Sequence, residues 1–574
     1  MVPSPAPSTP LAANIADLVT AAARRGPDHP ALCDRALGDR AAGRTVTWGG
    51  VDAAVHAEAA RLREAGLAPG DRVVVRLPTS AEFCVAVFAV ARAGGVVVPV
   101  GTAATERELR TLCAHSGAGL LVVTGEDGAA RRAVASFPAG GPALLGPPDL
   151  GPPDPDPPGA GAPAPDPGTG GEDVAVLAYT SGTSGAPRGV MLSHRALLAN
   201  VVQCAALRPA PVTGGDRVLL ALPLFHSYGL GPGLLQVTHA AATAVLVDRF
   251  EPEPALEAVQ EHRVSTVVGV PPMYRAWLTL PADRLADGLA TVRMFLSGAG
   301  PLDPAVLTGM RAVTGLGIFE GYGLTETGPV LTSTLVGGAA KPGSVGRPLP
   351  GVPSRGMAGV EIRLVDNDGR ALPTAGDLLG DDDVEDDDED AGGTGVIAAR
   401  GPNLFSGYWP DGAYGPVELP GLGPGWLRTG DVGFVDADGD LHLVDRADDL
   451  IIVNGFNVYP HEVEKVLEEH TGVAEAAAVG MFDERSGEAV RAVVVVADGA
   501  RPDPRSIIEH CAARLARFKV PVEVAFVGSL PHSPTGKLAR RLLRGGTGEL
   551  SPAWPSGAPM PAARGDDDTA ADLC

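Results

Sequence analysis

The chain is 574 residues long, 45% of them apolar and 20% charged, with a formal net charge of −24. That length exceeds what a single hydrophobic core supports, so two or more domains are expected. The acidic balance argues against a nucleic-acid partner, which is held by a cationic surface. The opening stretch MVPSPAPSTP lacks the basic and apolar regions of a signal peptide. The six cysteines (Cys33, Cys84, Cys113, Cys204, Cys511 and Cys574) show no CxxC spacing, and they read as the reduced thiols of a cytoplasmic protein.

In chain order, residues 1–137 alternate helical patterns with short β-rich runs. A helix ends near 62–65, DRVVVR at 71–76 reads as a strand, 81–93 as a helix and 96–100 as another strand. Such alternation predicts a parallel sheet covered by helices. The longest apolar run, 83–100, is broken by Arg92 and two glycines, so it predicts a buried helix and strand and no membrane span. Residues 138–171 are rich in Pro, Gly, Ala and Asp, and predict a disordered surface loop without core-forming residues. The apolar run 174–178 then predicts a buried strand leading into Tyr179-Thr180-Ser181-Gly182-Thr183-Ser184-Gly185-Ala186-Pro187-Arg188-Gly189. A short strand at 190–192 follows, with Ser193 as the cap of a helix through 196–206. Further α/β alternation runs to about 349, and 360–445 reads as strand and turn. Inside that stretch, 381–390 carries nine acids in ten residues. Like charges repel, so this insertion (377–394) and the polar tail 545–574 are expected to be disordered. Helices at 463–469 and 507–515, with strands at 476–480, 490–496 and 522–527, predict a small α+β domain over 446–544.

The loop after residue 178 carries the chemistry. Small hydroxylated residues and glycines let backbone N–H groups and hydroxyls wrap phosphate oxygens, and Arg188 balances their charge. It does not match the Walker A pattern. It resembles the phosphate loop of the adenylate-forming superfamily, which comprises acyl- and aryl-CoA synthetases, peptide-synthetase adenylation domains and luciferases. Two positions depart from that pattern: Ser184 stands for threonine and Arg188 for lysine, a planar fork for a compact ammonium. Further blocks follow in the family's order, so the resemblance covers roughly 14–543. It implies an α/β fold, with a large N-terminal domain (1–445) of α/β subdomains plus a small β-barrel-like one, and a mobile C-terminal α+β domain.

By this resemblance, Thr180, Ser181, Gly182, Thr183, Ser184 and Gly185 bind the nucleotide phosphates. Phe225 and His226, in the block Leu222 to Leu230, form a wall of the acyl pocket. An aspartate in place of His226 would pair a substrate ammonium; its absence argues for a carboxylic acid without an α-amino group. Gly298, Ala299 and Gly300, with Gly321, Tyr322 and Gly323, form the adenylate site, Tyr322 offering its face to adenine. Gly298 and Gly323 also border the acyl pocket. The glycines at 298, 321 and 323 are expected to leave room beside an acyl chain, which favours an elongated apolar substrate over a compact aromatic one. Thr325 and Glu326 belong to the catalytic set, Glu326 as a hard oxygen ligand for Mg²⁺. Asp431 accepts from the ribose hydroxyls and Arg446 contacts ribose and phosphate. Asp448 is the hinge, Gly455 and Phe456 approach coenzyme A, and Lys537 reaches between the carboxylate and the α-phosphate.

The implied activity is ligation of a medium- or long-chain fatty acid to CoA at the expense of ATP, through an acyl-adenylate. Alternatives are transfer to a carrier protein's pantetheine, an aryl acid as substrate, a luciferase-like oxygenase, and a degenerate binder of nucleotide or acyl-CoA. The last is supported by Arg188 and by Val396, where the family often has glutamate. It is opposed by the presence of Asp431, Arg446 and Lys537.

Overall fold

The computed structural model describes residues 13–34, 43–138, 140–151, 168–181, 187–366, 368–373, 393–446, 449, 451–453, 456–483, 487–532 and 538–544. They form two compact units, a larger one before Asp449 and a smaller one from Asp449 onward. No helix among them is long and apolar enough to cross a membrane.

The larger unit contains three sheets. In the nine-stranded sheet, six strands run parallel in the order Ile318–Tyr322, Met294–Ser297, Thr266–Gly269, Arg217–Leu220, Thr243–Leu246, Pro30–Asp34. Their short apolar stretches are buried along nearly their whole length, the pattern of a sheet covered on both faces. Antiparallel strands close its two edges. The six-stranded sheet runs Ala143–Leu145, Leu120–Val123, Arg72–Arg76, Val96–Pro99, Val174–Ser181, Pro187–Ser193, parallel except for its last strand. The stretch 83–100 is buried throughout, apart from a partly buried Arg92, as helix Ala81–Arg92 and strand Val96–Pro99. Ser80 caps that helix by accepting from the Phe83 N–H, and Ser193 caps His194–Ala205 by accepting from the Ala196 N–H.

Two expectations change here. The segment 138–171 is not a loop throughout, because Ala143–Leu145 adds an edge strand to Leu120–Val123, and Leu145 and Leu150 pack on the core. Flanking prolines and glycines dominate the composition and hide a three-residue strand whose pairing partner is distant in the sequence. The strand expected to stop at 178 continues to Ser181, where it pairs with Pro187–Ser193 so that Thr180 lies opposite Arg188. Half of the expected phosphate loop is thus a β-hairpin. Its tip, 182–186, lies outside the described residues, as do the acidic run 381–390 and the tail 545–574.

The third sheet is five-stranded and antiparallel, built from Glu361–Val365, Gly395–Arg400, Val417–Leu419, Gly423–Val435 and Leu441–Arg446. Its register sets Asp431 opposite Arg446. In the smaller unit, Ile451–Val453, Phe456–Val458, Val473–Asp483, Gly487–Val496 and Glu523–Val527 form a sheet packed with helices Pro460–Glu468 and Pro504–Ala512. Buried Glu464 accepts from both Nε and Nη2 of Arg540, and from the Ala478 N–H, which ties helix, strand and C-terminal segment together.

At the amino ends of the parallel strands, buried Asp216 accepts from Arg293, Ser265 and Thr213. Burial alone would raise its pKa. Hydrogen bonds from Arg293, Ser265 and Thr213 outweigh that and hold it down at about 2. A folded pKa below the unfolded value near 3.9 gives stability that is complete above about pH 4 and lost as the pH falls toward 2. The variant D216A is expected to lose about 2–3 kcal/mol of unfolding free energy at pH 7, by leaving Arg293 without its buried partner. D216N is expected to flatten the acid limb between pH 4 and 2. Urea unfolding across that range measures both.

Candidate active site

Three loops that carry expected site residues leave the carboxyl ends of parallel strands. Residues 222–230 follow Arg217–Leu220, 298–302 follow Met294–Ser297, and 323–327 follow Ile318–Tyr322. Open parallel sheets place ligands at this end. The loops touch: Ser227 Oγ lies 3.3 Å from Thr325 Oγ1, and the ring of Tyr228 covers Gly298 so closely that a Cβ there would meet it at 2.5 Å.

That packing revises the reason for the glycines. At Gly323 a Cβ would stand 1.8 Å from the Pro329 carbonyl oxygen, and at Gly321 it would stand 3.2 Å from that of Thr332. The space expected beside an acyl chain at 298, 321 and 323 is filled by protein, whereas Gly300 has open space around it. Ala299 between them adopts φ of +63°, a left-handed conformation costing about 1 kcal/mol for a residue with a Cβ.

Among the residues expected to bind the nucleotide, the Tyr322 hydroxyl donates to Asp431 Oδ2 at 2.7 Å, and both residues are buried. Asp431 is set by its own N–H, which donates to Thr429 Oγ1. The structure therefore joins two residues that are far apart in sequence. A second cluster contains Arg188. Its guanidinium carbon lies 5.5 Å from the ring centroid of Tyr408, and the Tyr408 hydroxyl donates to Glu326 Oε1 at 2.7 Å. Half-buried Glu326 has no hydrogen bond on its other carboxylate oxygen among the described residues. A hard carboxylate oxygen without a protein donor suits a Mg²⁺ ion that retains several waters.

In the block expected to form the acyl wall, Phe225 packs on Gly101, where a Cβ would meet its ring at 2.8 Å. His226 Nδ1 accepts from the Tyr228 N–H at 3.3 Å. Burial lowers the His226 pKa, which favours the neutral imidazole. Two residues escaped the sequence reading. Glu320 is buried, with Oε1 accepting from the Leu302 N–H, and burial pushes its pKa up to about 8. The strand alternation that turns Tyr322 inward turns Glu320 inward too, so this one was detectable. Tyr408 was not, because its place depends on long-range pairing.

Other expected residues lie outside the described ones: Gly182, Thr183, Ser184, Gly185, Asp448, Gly455 and Lys537, together with the side chains of Ser181, Arg446 and Phe456. A group of acids the sequence reading passed over, Asp436, Asp438 and Asp440, has metal-like spacing. Lys341 Nζ stands 2.5, 2.8 and 3.4 Å from their carboxylates, so an ammonium holds the cluster together.

Comparison with known proteins agrees with this architecture. The family model of the AMP-binding enzymes matches residues 19–409, and that of the AMP-binding enzyme C-terminal domain matches 462–537. A feruloyl-CoA synthase from an Amycolatopsis species is 36% identical over 513 residues, covering 88% of this chain and 94% of its own. The fatty acid–[acyl-carrier-protein] ligase ScoC of Streptomyces coeruleorubidus is 34% identical over 538 residues, covering 91% and 94%. The crystal structure of ATP-bound MatB from Rhodopseudomonas palustris superposes with a TM-score of 0.77 at 31% identity, covering 92% of this chain and 98% of that one. The chain belongs to the AMP-binding enzyme family and is, in class, an adenylate-forming CoA ligase.

Proposed function

We propose that the chain activates a carboxylic acid with ATP and passes the acyl group to coenzyme A. The carboxylate attacks the α-phosphorus, giving acyl-adenylate and pyrophosphate, and the thiol then displaces AMP. The observation that carries this reading is the convergence of Tyr322 with Asp431, and of Arg188 with Glu326 through Tyr408, in one unit. In it, Asp431 receives the ribose hydroxyls and Tyr322 borders the adenine. Arg188, Thr180 and the hairpin tip hold the phosphates, and Glu326 with Thr325 holds the metal. Magnesium, when bound there, supplies positive charge to the phosphates. Negative charge builds during in-line transfer, and groups fixed in advance stabilise it without reorganising. Lys537 bridges the carboxylate and the α-phosphate. The C-terminal domain, turning about Asp448, then exchanges Lys537 for the Gly455 and Phe456 segment that receives pantetheine. Neutral His226 lines the acyl wall without offering a charge to the substrate carboxylate.

For the acid, a medium- or long-chain fatty acid is the reading supported by the string Gly455 to Glu464 and by the ScoC likeness. A second reading, an aryl acid, is favoured by one observation. The Tyr228 ring closes the space at Gly298, and burial raises its phenol pKa, with Cys204 and then Glu320 adding to the rise. Buried polar groups beside a purely apolar chain are unfavourable, whereas a ring bearing a hydrogen-bonding substituent satisfies them. The feruloyl-CoA synthase likeness supports the same reading. A pantetheine thiol on a carrier protein is the alternative acceptor.

Incubation with MgATP, CoA and a panel of fatty and aryl acids, read by mass spectrometry, is expected to yield acyl-CoA. The masses formed decide between the two acid classes. Acyl-adenylate without thioester would move the acceptor to a carrier protein, and no product with any acid would leave the nucleotide-binder reading. K537A is expected to slow adenylation by about 100-fold or more while ATP affinity, measured by calorimetry, stays within about threefold. Glu320 supplies a pH test. A carboxyl with a folded pKa near 8 destabilises the fold increasingly as pH rises from about 4 to 8, because the unfolded chain ionises it freely. E320Q is therefore expected to melt about 2 °C or more above the wild type at pH 8, with a smaller difference at pH 5.

A further inference from the structure

The segment 405–409 grips both halves of the expected phosphate and metal site. The Ser406 N–H donates to the Met191 carbonyl, the Met191 N–H to the Gly407 carbonyl, and the Trp409 N–H to the Gly189 carbonyl. Strand Pro187–Ser193 is thereby zipped to this segment one residue away from Arg188. The Phe405 N–H donates to the Glu326 carbonyl, which fixes the backbone of the other partner. Tyr408 stands between them, its ring under the Arg188 guanidinium and its hydroxyl on Glu326 Oε1. Arg188 and Glu326 carry opposite charges in a partly dry site. Without an intervening group they would pair, and each would then be withdrawn from its ligand. No such pair forms among the described residues. A planar guanidinium stacks on an aromatic face as an ammonium does not, which gives the arginine in place of lysine a partner of matching shape.

We propose that Tyr408 is a positioning residue that holds Arg188 and Glu326 apart, leaving the first for phosphate and the second for the metal; this rests on the ligase reading above. Its hydroxyl occupies one carboxylate oxygen of Glu326, so the metal is offered the other.

The test is calorimetry of ATP binding to the full chain, with Mg²⁺ and with the metal chelated. Y408F keeps the ring and removes the hydroxyl. It is expected to weaken MgATP binding about tenfold, the loss of one hydrogen bond to a charged group, and to leave metal-free ATP binding unchanged. Y408L removes the ring as well. In that background R188K is expected to cost nothing further for metal-free ATP, although it costs about fivefold in the wild type. Wild-type metal dependence in Y408F, or an equal R188K penalty in both backgrounds, overturns the assignment while the ligase reading stands. Should Y408L not fold, the Y408F comparison alone decides. A wild-type chain that takes up no MgATP overturns the ligase reading, and this inference with it.

Discussion

Backbone pairing between 405–409 and strand Pro187–Ser193 is the constraint on which the rest of the site depends. Strand hydrogen bonds are directional, and their spacing leaves little freedom in register. Because Gly189 and Met191 are bonded to Trp409, Gly407 and Ser406, Tyr408, which lies between Gly407 and Trp409, cannot shift without breaking several bonds at once. The same segment reaches Glu326 through Phe405, and Asn403 donates to the carbonyls of Thr327 and Val330. One short stretch thus connects the hairpin of the six-stranded sheet to the loop that leaves the nine-stranded one.

Charge is distributed with similar economy. The chain is strongly acidic, yet Glu320 is kept neutral by burial and His226 is kept from charging. Glu326, by contrast, keeps one oxygen unbonded among the described residues, and Asp431 shares its charge with a tyrosine hydroxyl. Desolvation removes charge at Glu320 and His226, while a tyrosine hydroxyl donates to each of Glu326 and Asp431, where a cation or a ribose is expected.

Much of this was legible in the sequence, and the boundary of what was not follows a physical line. Features set by local chemistry were readable, namely the apolar strands and Ser193 as a cap, and the order of the motif blocks carrying Tyr322, Glu326 and Asp431 was readable through the family resemblance. Features set by distant partners were not. The strand Ala143–Leu145 exists because Leu120–Val123 offers it an edge, and Tyr408 matters because of residues some 80 and 220 positions before it, at Glu326 and Arg188. The glycines show the same limit from the other side. A missing Cβ at 323 signals that something comes close, but only the fold reveals that the neighbour is the carbonyl of Pro329 and not a substrate.

The lysine seated among Asp436, Asp438 and Asp440 has a practical consequence. A triad of carboxylates at a turn repels itself unless a positive charge sits among them. Here the counter-charge is covalently part of the chain, with Arg347 and His442 on the same acids. The positive charge that keeps these acids together is therefore always present, whatever cations the solution supplies.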